Sequence, residues 1–386
     1  MSTKKIIYLD HAATTPLAPE VLERMLPYLK SDFGNAGSIH TKGQSAKNAV
    51  ESARRKVAEI LWCEPQEIIF TSGGSESDNL ALRGTLKKGD HLIISAVEHP
   101  AVLQTAEALE KEGVELTKIP VERNGILKVG KVQKAIRRNT TLISIMLANN
   151  EIGTLQPVRE IGKFLQKNHP EILLHTDAVQ AGGILNLDVR HLKVDLLSLS
   201  AHKFYGPKGI GVLFAKSKVK LKPQISGGHQ ENGIRAGTEN VAGIVGAAAA
   251  LDLAEKNREK ESIRITKLRD YFIKKVLREI PKAQLNGDPK IRLPGNANFS
   301  FYGVEGESIL LRLDFTGIAA STGSACASGS LEPSYVLQSL KIPHEWLHGS
   351  IRFSLGKSTG KQELDQVVTE LKKIIRDLRE LSPLFE

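Results

Sequence analysis

Cysteine is scarce: the 386 residues hold two, Cys63 and Cys326. Two thiols build neither a disulfide framework nor a four-cysteine metal site. They suit a reducing compartment, where either could act only as a single reactive thiol. Aromatic residues make up 5% of the chain, and no stretch interleaves them with basic side chains. A dedicated nucleic-acid surface is therefore not expected. Long hydrophobic runs are missing too. The longest, Val241 to Leu251, is too short to span a bilayer, and its Ala and Gly content reads as a tightly packed buried helix. Met1 to Asp10 has no apolar stretch long enough for a signal peptide. The expectation is a soluble, cytoplasmic protein that neither enters a membrane nor binds nucleic acid directly.

What is present is ordinary in bulk, with 41% hydrophobic and 25% charged residues, as in soluble globular proteins. The length allows two or three structural units, at roughly 100–200 residues each. The net charge of +10 permits attraction to acidic partners or phosphorylated ligands. Its densest runs, such as Lys4-Lys5, Arg54-Arg55-Lys56 and Arg137-Arg138, are short and scattered, and read as solvated helix faces.

Short β-rich runs alternate with helical patterns through the first two-thirds. Strands are predicted at Glu67–Thr71, His91–Ala96, Leu142–Leu147, Ile172–Thr176, Leu196–Leu199 and Gly211–Ala215. Several are apolar on both faces, as in a covered parallel sheet. Helices are predicted at Ser45–Leu61, Ser75–Leu86, Pro100–Glu112 and Val158–Asn168. This alternation predicts an α/β layer with right-handed crossovers. Near residue 255 the character changes. Glu255–Leu277 is a charged helix pattern. Strand-like pieces follow at Asn298–Tyr302, Gly317–Ser321 and Ser350–Ser354, and then a helix with an apolar stripe from Val367 to Leu378. A smaller α+β unit is expected there.

In open α/β sheets, ligands sit at the carboxyl ends of the strands, and the segments just after the strands are the polar ones here. Thr71 to Asn79 places glycines and hydroxyls at a helix start, which suits an anion cradle. A plain capping pattern, Ser75-x-x-Asp78, explains it as well. His99 follows a strand and precedes Pro100. Asn149-Asn150 are either turn formers or ligand donors. Asp177 ends a strand, where it serves either as a helix cap or as a partner for a protonated ring nitrogen. Lys203, in Ser200-Ala201-His202-Lys203 before a Gly/Pro-rich turn, is the sharpest feature. A strand-end lysine with a lowered pKa can form a Schiff base. A carboxylate, a lysine and a phosphate cradle on one rim are what pyridoxal phosphate needs. Gly227 to Asn240 reads structurally as a helix-entry loop capped by Thr238. Ser321 to Ser330 surrounds Cys326 with small residues, as an exposed reactive loop would. Cys63 follows Ile60-Leu61-Trp62 and reads as structural.

These segments resemble the pyridoxal-phosphate-dependent cysteine desulfurases of the NifS/IscS type, on the class V aminotransferase fold. The resemblance is carried by Tyr8–Pro16, Thr71–Asn79, Glu98–Pro100, Asn149–Gly153, Asp177–Gln180, Ser200–Gly209, Arg235–Asn240, Ser321–Ser328 and Ile351–Ser354, in family order over nearly the whole chain. It implies an α/β fold of the aspartate-aminotransferase-like, fold-type-I kind. A large, mainly parallel-sheet domain would span 16–255, and a smaller α+β domain, 1–15 with 256–386, would carry the cysteine loop. It further implies that Lys203 holds the cofactor, that Asp177 meets the pyridinium nitrogen, and that Asn150 and Gln180 flank the ring. His99 would stack on the ring and shuttle protons. Gly74, Ser75, Ser200 and His202 would bind the phosphate, joined by Thr238 from the other subunit of a homodimer. Arg352, helped by Asn35, would clamp the carboxylate of L-cysteine. Cys326 would attack the substrate sulfur and keep it as a persulfide, for transfer to an iron–sulfur scaffold or another acceptor. The resemblance also carries a transient cluster-ligand role for Cys326, shared with a scaffold. His11 stands where many members have Asn, and Ser75 where many have Thr. The alternatives are a selenocysteine lyase or aminotransferase on the same fold, or chiefly a scaffold-binding module.

Overall fold

The computed structural model describes residues 6–323 and 333–381. The first elements are β1 (Ile7–Tyr8), α1 (Pro19–Lys30) and α2 (Thr41–Leu61). Alternation then follows: β2 (Ile68–Thr71), α3 (Gly74–Thr85), β3 (His91–Ser95), α4 (Pro100–Lys111), β4 (Glu115–Ile119), α5 (Val129–Ala135) and β5 (Thr140–Ser144). It continues with α6 (Val158–Asn168), β6 (Leu173–Asp177), α7 (Val189–Leu192), β7 (Leu196–Ser200) and β8 (Gly211–Ala215). The second half holds α8 (Val241–Glu279), β9 (Ala283–Leu285), β10 (Asn296–Phe301), α9 (Gly306–Phe315) and β11 (Ile318–Ala319). It ends with α10 (Tyr335–Ser339), α11 (His344–Leu347), β12 (Ser350–Ser354) and α12 (Lys361–Glu380). No helix among the described residues is long and apolar enough to cross a membrane.

Seven strands form the main sheet, in the order β2-β8-β7-β6-β5-β3-β4. Only β8 runs against the others, pairing antiparallel with both β2 and β7. Period-2 alternation splits the apolar strand residues between two cores. Ile68, Phe70, Ile93, Ile143, Leu197, Leu199, Val212 and Phe214 face one. Ile69, Leu92, Ile94, Leu142, Leu196 and Leu213 face the other, against α3 and α4. Both faces are covered, which is why these strands read as continuous apolar runs.

A third core lies under the antiparallel sheet β12-β10-β9. Phe272, Phe299 and Phe353 meet edge-to-face there, with ring centroids 5.2–6.3 Å apart. The α12 stripe of Val367, Val368, Leu371, Ile374 and Ile375 seals it, with Leu378 at the margin.

Two local expectations change, and one strand was not expected. The buried run from Val241 and the charged run from Glu255 are one continuous 39-residue helix, α8. No Pro or Gly interrupts the stretch between them, so nothing there ends the helix. The predicted strand Leu142–Leu147 is shifted: β5 spans Thr140–Ser144 and the chain leaves the sheet before Met146. β4 went unread because its burial is that of an exposed sheet edge, with mixed polar residues.

Candidate active site

The strands β3, β5, β6 and β7 are parallel neighbours, so their carboxyl ends share one rim. Asp177 is the last residue of β6 and Ser200 the last of β7. A single 3-10 turn, Ala201–Lys203, follows β7 and turns the lysine onto the rim. Two glycines let the backbones close around it. A Cβ on Gly211 would meet the Gly73 backbone at 2.5 Å, and one on Gly74 would meet Val179 at 2.7 Å. The start of α3 is thereby pressed against the β6 and β7 ends, with its first N–H groups aimed at the rim.

One cavity of about 190 Å³ gathers Gly74, Ser75, His99, Asn150, Asp177, Gln180, Ser200, His202, Lys203 and Arg352. Ala12, Ala13, Asp78, Met146 and Val179 complete its wall. Neither Thr238 nor Asn35 lines it. Thr238 is exposed, and the cap of α8 is Asn240, whose Oδ1 accepts from the Gly243 N–H at 3.0 Å. The longer reach of the Asn side chain, placed one residue before the helix, displaces the Thr238 cap expected from sequence. Asn35 is exposed, and its Oδ1 accepts from the Gly37 N–H at 2.8 Å. Cys326 lies outside the described residues.

Lys203 Nζ donates to the carbonyls of Ala12 at 2.5 Å and Ala13 at 2.7 Å. Gln180 Nε2 donates to the same Ala12 carbonyl at 3.0 Å. His99 caps α4, its Nδ1 accepting from the Ala101 N–H at 3.1 Å. A neutral His99 therefore carries its proton on Nε2. Burial pushes His202 down to about 4, so its imidazole is neutral, and its Nδ1 lies 3.1 Å from the Thr14 hydroxyl. Asp177 is buried, which raises its pKa, while the charges of His99 and Lys203 and the Val179 N–H at 2.9 Å oppose the rise. Arg352 comes from β12 and is 1% exposed. Its Nη1 donates to the Asn150 carbonyl at 3.0 Å and its Nη2 to Asp10 Oδ1 at 2.7 Å. Its Nε is buried without a hydrogen-bond partner among the described residues.

Asn149 and Asn150 divide the two roles left open by the sequence. Asn149 is fully buried and accepts from the Glu151 and Ile152 N–H groups, shaping the turn. Asn150 faces the cavity. The capping reading of Ser75-x-x-Asp78 fails. Gly73 is the cap residue and no side chain caps it, and Glu76 instead takes the Ser72 N–H at 2.8 Å. Asp78 is buried in the cavity wall. The available signal was its spacing, since Asp78 lies one turn after Gly74 and so shares its face of α3. Cys63 packs at the edge of the first core, where burial pushes its thiol up to about 12 and keeps it unreactive.

The chemistry of the wall fits pyridoxal phosphate. There is an amine for the aldehyde, a buried carboxylate for a ring nitrogen, and hydroxyls with a helix start for a phosphate. Arg352 Nε and Asp78 Oδ1 are buried polar atoms that lack a partner among the described residues, as expected of a wall built around a polar guest.

The aminotransferase class-V family model matches residues 7–367. The chain belongs to the class V aminotransferase family. The cysteine desulfurase IscS of Dictyoglomus turgidum is 52% identical over 384 residues, covering 98% of this chain and 97% of that protein. A solved NifS-like protein superposes with a TM-score of 0.90 at 35% identity, covering 97% of this chain and 100% of its own. A structure of SspA in complex with cysteine is 35% identical, with a TM-score of 0.80 over 90% of this chain and 98% of its own. The architecture is thus that of the fold-type-I pyridoxal-phosphate-dependent transferases, with a mostly parallel central sheet.

Proposed function

We propose that the chain is a pyridoxal-phosphate-dependent cysteine desulfurase, converting L-cysteine to L-alanine and a persulfide on Cys326. The observation that carries this reading is one 190 Å³ cavity lined by Lys203, Asp177, the start of α3 and Arg352. Kinship with proteins named cysteine desulfurase IscS supports the substrate. When bound, the cofactor supplies an electron sink that labilises the Cα–H bond of the amino acid.

The chain's own residues do the rest. Lys203 is the anchoring amine, and its Nζ carries the substrate proton. Asp177 keeps the ring nitrogen protonated, and Asn150 and Gln180 fix the ring edge. Gly74, Ser75, Ser200 and His202 hold the phosphate. His99 presents Nε2–H over the ring. Arg352 offers Nε and its fork to the substrate carboxylate, a planar two-point match that a lysine lacks. The Cys326 thiolate attacks the substrate sulfur. An S–S bond forms, the Cβ–S bond breaks, and its electron pair takes up a proton as alanine leaves.

The same reading makes residues 16–255 the cofactor-binding body, and 1–15 with 256–386 the body carrying Arg352 and Cys326. It places the protein in the cytoplasm as a homodimer, with Thr238 reaching the neighbouring subunit's phosphate site and Asn35 standing near the substrate. The sulfur acceptor is an iron–sulfur scaffold or another thiol-bearing protein, and Cys326 could share a nascent cluster with such a scaffold. In the test, Lys203→Ala abolishes the visible absorbance gained on adding pyridoxal phosphate. Cys326→Ala keeps that absorbance but loses sulfide release from cysteine by more than about a hundredfold. Retained sulfide release in Cys326→Ala would overturn the persulfide step.

A further inference from the structure

Asp78 has no role in the chemistry above. It is 1% exposed, and its Oδ1 lacks a hydrogen-bond partner among the described residues. Oxygens of Asp78 and Asp177 and a ring nitrogen of His99 all lie within 4.8 Å of one another. On the other side, His175 Nε2 is 3.6 Å from Asp78 Oδ1. That imidazole is already engaged, with Nδ1 2.8 Å from the Ser144 hydroxyl and Nε2 3.0 Å from the Ser198 hydroxyl. Burial pushes His175 down to about 3, so it brings no positive charge. A third acid, Glu98, also faces Asp78.

Two buried carboxylates this close cannot both stay charged. The surroundings decide which one does. Asp177 has the Val179 N–H and the positive charge of Lys203. Asp78 has the Ser198 hydroxyl and two neighbouring acids. Resting on the cofactor reading above, we propose that Asp78 is held as a neutral carboxylic acid, so that the Asp78–Asp177 pair presents a single negative charge, on Asp177, to the ring nitrogen of the cofactor. Burial and the Asp177 charge push Asp78 well above the ordinary carboxylate range, in the same direction. Asp78 is then a positioning residue that acts through Asp177. A second charge there would compete with Asp177 for the ring proton.

The test is infrared spectroscopy at neutral pH, on the protein with and without pyridoxal phosphate. The wild type minus Asp78→Asn difference should show loss of a carboxylic-acid carbonyl band. Loss of a carboxylate band instead overturns the proposal. Wild-type protein carrying carboxyl-13C aspartate gives the same answer if the variant fails to fold, because the label separates Asp78 from any acid band of Glu98. An acid band that does not move with the label overturns the proposal. In parallel, cofactor titration should show Asp78→Asn weakening affinity by less than about threefold, and Asp177→Asn by more than about a hundredfold. A loss in Asp78→Asn as large as in Asp177→Asn means that Asp78 carries the charge, and overturns the proposal. Absence of any cofactor absorbance in the wild type defeats the cofactor reading alone, because the infrared band still reports the proton on Asp78.

Discussion

Glu98 sits just before His99 and is wholly enclosed. Its carboxyl accepts from the Ser95 hydroxyl at 2.5 Å and from the Met146 N–H at 3.0 and 3.1 Å. Burial outweighs these donors and pushes the group up to about 8, against an ordinary 4.5. An unfolded chain releases the proton near 4.5 and the folded chain keeps it to about 8. Between those values the folded state binds more protons, so stability falls as pH rises. The loss is complete above the folded pKa and is on the order of a few kcal/mol. Glu98→Gln keeps the acceptor oxygen and cannot ionise. Thermal melts from about pH 6 to about pH 9 should show the variant close to wild type at the acid end and more stable at the alkaline end. Parallel curves would show that Glu98 is already ionised at neutral pH. His175 sets the opposite limb. Its folded value near 3 lies below its ordinary 6.5, so stability is lost as pH falls below 6.5.

The segment from Gly227 to Asn240 has little regular structure, and two ion pairs staple it to α2 and α3. Arg54 of α2 forks onto Glu231 with two 2.8 Å bonds, and the same carboxylate takes the Phe70 N–H at 2.9 Å. Arg235 binds Glu76 at the start of α3 at 2.9 Å. Glu231 and Asn232 adopt φ of 48° and 56°, a left-handed conformation sustained by these bonds. Glu231→Gln removes the forked carboxylate and leaves the largely buried Arg54 with Glu51, 3.2 Å from its Nε, as its carboxylate partner, at a cost of about 1.5–3 kcal/mol. The expected outcome is a lower melting temperature and faster proteolytic cleavage within 227–237. An unchanged cleavage pattern would place the anchoring on Arg235 instead. Such contacts were invisible in the sequence, because they join residues 177 and 159 positions apart through no motif. What was legible was local. Apolar runs gave β2, β3 and β6 to within a residue or two, and polar strand ends pointed to His99, Asp177 and Lys203, which do share a cavity. Asp78 was missed because Ser75-x-x-Asp78 satisfies a capping pattern equally well, and only burial separates the two. Similarly, the polarity change near residue 255 marks a helix leaving one core for another, which composition alone cannot tell from a break.

That helix, α8, bears on the molecule as a whole. Its first half, Ala242 to Ala254, packs in the main core, and Ile265, Phe272 and Val276 pack in the third. Its middle touches both: Ser262 bonds the Ile184 carbonyl at 3.1 Å, and Arg264 bonds the carbonyls of Thr359 and Gly356. The cavity has the same double parentage, with Lys203 and Asp177 from the main sheet and Arg352 from β12. A continuous helix between the cores therefore fixes the guanidinium relative to the amine. Lys260 is an exposed residue in that middle stretch, so replacing it removes no core contact. Lys260→Pro deletes one helix bond and clashes with the preceding turn, costing about 3 kcal/mol. Calorimetry should then resolve two unfolding transitions, and the KM for cysteine should rise more than kcat falls, because the displaced group is the carboxylate clamp. Lys260→Ala, which keeps the helix, should match the wild type in both. A single transition with unchanged KM in Lys260→Pro would mean that the interface between the cores, and not α8, sets the distance between Arg352 and Lys203.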